Sequence, residues 1–488
     1  MAKPVGSIAK PVCRKIAIVG AGWAGMAAAL AVAQAGHEAI VLEAAQAIGG
    51  RARALFDPKN PGRPLDNGQH ILIGAYSECL RLMRLVGVAP ESALLRLPLA
   101  LRFADGSGLQ LPDLPPPWGA LAGIATARGW RWRDKWALLR LAAAWQRRGF
   151  ACAPHATVAQ LCAGLPQQLR EDFIAPLCVS ALNTPVHEAS GAVFLRVLHD
   201  SLLGGRGGSH LLLPRTDLGS LFPEPAARWL RAHGGALHTG RRVQRLVREG
   251  ASGRGASVAT GWLLDGERFD AVVLATSAGA AARLVHAGAD TAPAAERPAL
   301  HAWAACAQAL RHTAIATVYA QCAAADRLPA TIGAVRRTAR GAAQGVLPQP
   351  LLALRSSAMQ PAQFVFDRGA LGGPPGLLAF VVSAADTSDT TRADIERHVL
   401  AQAQAQLAHL LPGPLHAVQT VVEKRATFAC TPALQRPPAS LLPGLWACGD
   451  YVAGPYPATL EGAVRSGTAA GRQAVACLRG VSAETTTE

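Results

Sequence analysis

The stretch that most limits how this chain can fold is Ile16–Ala52, "IAIVGAGWAGMAAALAVAQAGHEAIVLEAAQAIGGRA". An apolar strand over Lys15–Val19 meets Gly20, Gly22 and Gly25, which form GxGxxG, and an Ala-rich helix follows over Ala24–Ala35. A second apolar strand is expected over His37–Ala44. Strand, helix and strand in this order make a parallel βαβ unit, so the chain must build a parallel sheet covered by helices. Gly20 permits the tight turn, Gly22 lets the backbone approach a pyrophosphate, and Gly25 lets helix pack closely on strand. Ala21, Trp23 and Ala24 complete the turn. The first N–H groups of the helix and its positive dipole end then face the phosphates. Glu43 stands 18 residues beyond Gly25, where a carboxylate can accept both hydroxyls of a ribose.

A dinucleotide site is therefore expected, and the residues beyond Glu43 bear on which dinucleotide. Gly49, Gly50 and Arg51 come within a short distance of it, and an NAD fingerprint does not require them. Read alone, they are a glycine turn with a solvated arginine. With the first motif they resemble the flavoprotein superfamily of amine oxidases and carotenoid desaturases. That resemblance implies a second cradle for the FAD pyrophosphate at Gly49, Gly50 and Arg51. It also implies roles for Gly449 and Asp450 at the ribityl–pyrophosphate region. The start of the helix at Thr459 and Leu460 would lie against the flavin, where a helix N-terminus stabilises the charge of the reduced ring. Val243, in "RRVQRLV", falls on the strand whose backbone would read adenine. One departure is visible: the superfamily often has proline soon after the "VVLAT" strand, and this chain has Ser277 and Ala278.

The implied fold is α/β, a Rossmann-like FAD-binding domain of amine oxidase / phytoene desaturase type interrupted by an α+β substrate domain. The FAD-binding parts are expected at residues 14–75, 236–289 and 421–480, and the substrate parts at 76–235 and 290–420. Asp265-Gly266 marks a hairpin turn within the middle FAD-binding part. The length of 488 residues suits this organisation.

"LDNGQHILIGAY", Leu65–Tyr76, places Asp66-Asn67-Gly68 in a turn and Gln69-His70 beside an apolar run. In the superfamily this segment runs along the flavin ring. Together with "PATLEGAVRSG" and "GSHLLLPRTDLGSLFPEPAARWL" it resembles the squalene-associated subfamily, the hydroxysqualene dehydroxylases of hopanoid synthesis. The implied reaction protonates an allylic hydroxyl, loses water, and delivers hydride from reduced FAD to the allylic cation. His70 is the proton donor to test, with Gln69 beside it, because imidazole titrates near neutrality. A structural histidine bonded to backbone or flavin is the other reading. Tyr76, Tyr451 and Tyr456 are further donors to consider. Two alternatives remain. A carotenoid-type desaturase would run hydride toward FAD, and an FAD-containing isoprenoid carrier would do no chemistry. An amine oxidase fits poorly: it would want an aromatic cage, and "TFACTP" offers only Phe428.

Composition bounds the setting. No run of 18 uninterrupted apolar residues occurs, and the basic N-terminal stretch lacks the apolar run of a signal peptide. Ten scattered cysteines without CxxC fit free thiols in the cytoplasm, not a disulfide or metal framework. Net charge is +16, with only six lysines among 48 basic residues. Arginine enrichment can follow genome composition, or it can attract an anionic partner. No nucleic-acid signature accompanies it, which points to a membrane face. The region Ala127–Gly149 gathers Trp130, Trp132, Trp136 and Trp145 with Arg128, Arg131, Arg133, Lys135, Arg140, Arg147 and Arg148. Read as a helix, Trp132, Trp136, Leu139 and Ala143 share one face. Such a face either docks on the inner surface of the cell membrane or packs on the protein's own core. The expected partners are thus FAD, an isoprenoid lipid, a membrane surface and an external electron donor, with no second nucleotide fingerprint for a built-in one.

Overall fold

A computed structural model describes residues 13–55, 65–249, 261–323 and 345–484. Residues 1–12 of the N-terminal stretch read for a signal peptide lie outside the described residues, and so does Lys59.

Strand β1 (Lys15–Val19), helix α1 (Trp23–Gln34) and strand β2 (Glu38–Leu42) open the chain as the βαβ unit. The helix starts one residue earlier than expected, because Gly22 has extended backbone and serves as its N-cap. It ends at Gly36, whose φ of +81° a helix cannot continue. The chain then leaves this unit for small strands and for several helices, among them α2 (Trp118–Thr126) and α3 (Trp132–Arg147). It returns with β3 (Ala236–His238) and β4 (Ala271–Leu274). Between them Asp265 and Gly266, both with positive φ, turn a hairpin that joins Trp262–Leu264 to Glu267–Phe269. A second excursion carries β5 (His312–Cys322), β6 (Leu377–Ala385) and β7 (Leu415–Phe428). The chain comes back with β8 (Leu445–Ala447) and the long helix α4 (Leu460–Glu484).

The main sheet has the order β3-β2-β1-β4-β8, all parallel, with Ser440–Leu442 antiparallel at one edge. Order reverses between β1 and β4, and ligands of such sheets bind at the carboxyl ends of the strands at that switch. Both faces are buried, as a parallel sheet requires. Ile16 and Ile18 pack with Met26, Leu30 and Val464, while Ala17 and Val19 pack with Leu274, Leu445 and Phe269.

Helix α1 is buried from Trp23 to Ala33. It lies between the sheet and α4, and alanine is what lets backbones come this close. A Cβ on Gly467 of α4 would stand 2.0 Å from the Ala24 carbonyl oxygen. The other large sheet is antiparallel, with β6, β5 and β7 adjacent and Leu351–Ala353 and Phe364–Asp367 extending it. It packs its own apolar cluster around Val318, Phe380, Val399 and Leu407.

Candidate functional site

The glycine turn after β1 stands at the switch point. Gly20 has φ +113°, and a Cβ there would lie 2.7 Å from the Ala275 carbonyl oxygen, so only glycine fits between β1 and β4. A Cβ on Gly25 would meet the Gly20 carbonyl oxygen at 1.9 Å. Gly22 is different. A Cβ there would have Gly50 Cα at 3.9 Å as its nearest neighbour, which leaves open space in front of the helix. No side chain caps α1, and its first turn holds no acid. Its leading amides are unspent donors, the arrangement an anion needs.

The second glycine turn is bound to the first. Gly22 and Gly49 form an isolated β-bridge, and the Gly49 N–H donates to the Ala21 carbonyl at 2.9 Å. Trp23 adds a tie of its own. Its indole N–H donates to the Ala52 carbonyl at 3.0 Å, and its ring packs on Phe222. The Trp23 side chain is therefore turned into the core, so toward a cofactor Trp23 and Ala24 can offer main chain alone. Glu43 is half-buried at the end of β2. Its carboxylate accepts from Ala21 N–H and Ala45 N–H, each at 2.8 Å, which holds the acid beside the turn.

Arg51 reaches across to the C-terminal segment. It donates to the Asp450 carboxylate at 2.5 Å and to the Ala426 carbonyl at 2.8 Å. Asp450 is buried, and its charge raises the Arg51 pKa above the ordinary value. Gly449 precedes it, and its N–H donates to Ser466 Oγ. Thr459 caps α4: its hydroxyl accepts from Gly462 N–H at 2.9 Å and donates to the Tyr456 carbonyl. Leu460 is the first helical residue. Two cradle turns, two carboxylates and two helix N-termini thus converge from opposite ends of the chain.

Val243 lies elsewhere than on a strand. Regular pairing starts only at Leu246–Arg248, because the Asp265 carboxylate takes the N–H groups of Gln244 and Arg245. The segment is still brought to the site, since Arg241 N–H donates to the Glu43 carbonyl at 2.8 Å.

The turn Asp66-Asn67-Gly68 is buried and heavily bonded. Asp66 accepts from Leu218 N–H at 2.8 Å, with the Arg368 guanidinium 3.8 Å away. Burial outweighs both and pushes its pKa up to about 6. The Tyr319 hydroxyl donates to the Asp66 carbonyl at 3.0 Å. Asn67 donates to the Arg51 carbonyl and to Glu423, which ties this turn to the second cradle. Gln69 accepts from Arg368 at 3.1 Å. His70 Nδ1 lies 3.1 Å from the Gly68 carbonyl. A carbonyl only accepts, so Nδ1 carries the hydrogen and Nε2 keeps its lone pair. Burial lowers the pKa of His70, and the charge of Arg51 lowers it further. Of the tyrosines, Tyr451 is buried with an unpartnered hydroxyl among the described residues, Tyr76 precedes Ser77–Leu85, and Tyr456 lies between Arg196 and Arg465.

In the sequence Asp66 and Asn67 read only as turn residues, and Arg368, Tyr319, Glu423 and Glu461 do not stand out. Glu461 is buried on α4, accepts from the Glu78 and Cys79 amides at 3.0 Å each, and so fixes α4 against Ser77–Leu85. The available signal is polarity inside apolar runs, as in "FVFDRG".

The family model for flavin containing amine oxidoreductases matches residues 23–475. The chain belongs to that family. It is an FAD-dependent oxidoreductase, and the two cradle turns, the open space before Gly22 and the uncapped α1 fit that cofactor. The chain is similar to a hydroxysqualene dehydroxylase of Rhodopseudomonas palustris, at 26% identity over 94% of this chain and 97% of that one. One from Zymomonas mobilis is 28% identical, over 47% of this chain and 54% of that one. A zeta-carotene desaturase of Capsicum annuum is 38% identical over 73 residues, 15% of this chain and 12% of that one. Among solved structures, cyclohexylamine oxidase from Brevibacterium oxydans superposes with a TM-score of 0.63, at 17% identity, over 96% of this chain and 100% of that chain.

Proposed function

We propose that this protein reductively removes the allylic hydroxyl of hydroxysqualene to give squalene. The observation that carries this reading is the similarity to the Rhodopseudomonas enzyme, which runs through both substrate regions as well as the FAD-binding ends. The desaturase likeness covers only 73 residues, 15% of this chain.

In the proposed site the α1 amides and Arg51 would hold the pyrophosphate, Glu43 would hold the adenosine ribose, and Asp450 would hold the ribityl chain. The main chain at Gly20, Ala21, Gly22, Trp23, Ala24, Gly25, Gly49, Gly50 and Gly449 lines the path, with Val243 at the adenine. Leu460, behind the Thr459 cap, opens α4, whose first amides would stabilise the charge of a reduced flavin. When bound and reduced, FAD supplies the hydride. The chain's own task is then to deliver one proton to the departing hydroxyl and to keep bulk water away. His70 is proposed to carry that proton on Nε2, the nitrogen left free by the Gly68 carbonyl, with Gln69 fixed by Arg368 beside it. The carbon–oxygen bond would break as that proton reaches the hydroxyl oxygen, which leaves as water.

The proposed setting is the cytoplasmic face of the cell membrane, where such a hydrocarbon dissolves. Among the described residues no helix is long and apolar enough to cross a membrane. Anaerobic mixing of dithionite-reduced protein with hydroxysqualene tests the reaction. Reoxidation of the flavin with squalene as the product supports it. Flavin that stays reduced overturns it, as does oxidised flavin that a polyene precursor reduces in a parallel experiment.

A further inference from the structure

Large apolar side chains left in water are few in this protein, and they are not scattered. Of seven among the described residues, five fall between residues 114 and 136: Leu114, Trp118, Leu121, Trp132 and Trp136. Trp132 is 72% exposed and Trp118 64%. A tryptophan this open to water loses the burial that normally stabilises it. The four tryptophans that stand close together in the sequence are divided by the fold. Trp130 and Trp145, at 8% and 6% exposure, lie in the core, and Trp132 and Trp136 lie outside. Leu139 is half-buried, so the exposed line on α3 is Trp132, Trp136, Arg140, Ala143 and Arg147.

α2 contributes the other part. Gly119, Gly123 and Ile124 face inward, while Trp118, Leu121 and Ala125 face out at intervals of three and four. The Lys135 ammonium donates to the Ala125 carbonyl at 2.7 Å, which fastens the start of α3 to the end of α2. The two exposed faces are thus parts of one helical hairpin.

Charge identifies the occupant. Between Leu114 and Gly149 stand seven cations and one carboxylate, Asp134. Asp134 is buried and accepts from the Arg131 N–H, so it does not neutralise the surface. Arg128, Arg131, Arg133, Arg140, Arg147 and Arg148 are exposed, and none is in an ion pair among the described residues. Indole rings at a water–hydrocarbon boundary, ringed by unpaired guanidinium groups, match an anionic lipid surface. We propose that the α2–α3 hairpin docks the protein on anionic bilayers through Trp118, Leu121, Trp132 and Trp136, with the arginines on lipid phosphates.

Docking of this kind does not depend on the identity of the substrate, so the test separates the two. Full-length FAD-loaded protein is sedimented with vesicles of mixed phosphatidylglycerol and phosphatidylcholine, and with phosphatidylcholine alone. Binding is expected to the anionic vesicles, weaker to the neutral ones, and lowered by salt. W132S/W136S and W118S/L121S should each cut binding roughly tenfold. Both should keep flavin content and activity on detergent-dispersed substrate, because these side chains support no core. Protein that stays in the supernatant at low salt overturns the proposal. So does binding that either double variant leaves unchanged, or a concentration-dependent dimer that W132S/W136S dissolves, since a second copy would then cover the face.

Discussion

At the scale of single residues, the site is a set of polar groups whose environments assign them different tasks. Glu43 is tied to the backbone of the first glycine turn at the end of β2, and Asp450 to Arg51 of the second. Removing a buried or half-buried acceptor from such a site costs about 1–3 kcal/mol. Glu43→Ala and Asp450→Ala are expected to purify largely colourless, measured as flavin absorbance per protein. Stoichiometric flavin in both would remove them from the cofactor site. His70→Ala is expected to retain FAD and lose turnover. Burial and Arg51 lower the imidazole pKa and so disfavour its protonated form. Turnover limited by this proton should therefore rise as pH falls below the ordinary imidazole range, and a flat profile would argue for a structural His70. The Asp66 pKa is shifted the other way, upward, and its effect falls on stability. Its pKa is about 6 in the fold and near 4 when unfolded, so between those values the native state binds the extra proton. Stability should fall as pH rises from about 4 to 6, by roughly 1–3 kcal/mol. Asp66→Asn, which keeps an acceptor for the Leu218 amide, should flatten that fall in urea melts.

At the scale of elements, the packing of α4 on α1 is the contact with least tolerance. Gly467 faces the Ala24 carbonyl with no room for a methyl group. Gly467→Val should force the helices apart, cost about 1–3 kcal/mol or more, and draw the N-terminus of α4 away from the flavin. A lower thermal midpoint together with reduced flavin content is the expected pair of results, and an unchanged midpoint would contradict the packing. Elements with a regular period were the ones legible in the sequence. β1, α1, β2 and the Asp265-Gly266 hairpin follow from glycine placement and apolar runs. The irregular path through Val243 was not legible, because it depends on the Asp265 carboxylate some way along the chain taking amides that a strand would have used. The same holds for the Asp66–Arg368–Gln69 group. Its partners are far apart in the chain, and only tertiary structure brings them together. On α3, period alone put Leu139 on the outer face, whereas packing against its own core drew it partly inward.

For the whole molecule, the proposed cofactor site belongs to no single stretch of chain. The turns at Gly20–Arg51, the segment through Arg241, and the Gly449–Leu460 unit come from three returns to one sheet, separated by two excursions. Within the site the ties are modest: the Arg51–Asp450 pair, the β-bridge between Gly22 and Gly49, and the Glu43 bonds to Ala21 and Ala45. A ligand that touches all three returns binds the native state and no unfolded one. It should therefore stabilise the protein by mass action, about 3 kcal/mol at a hundredfold excess over its dissociation constant. Flavin-stripped protein is expected to melt several degrees below the loaded form and to recover on adding FAD. The cradle variants Glu43→Ala and Asp450→Ala should show a much smaller recovery at the same FAD concentration. Equal melting with and without FAD would mean that the three segments are already held in place by their own packing, and that the cofactor fills a site it does not help to assemble.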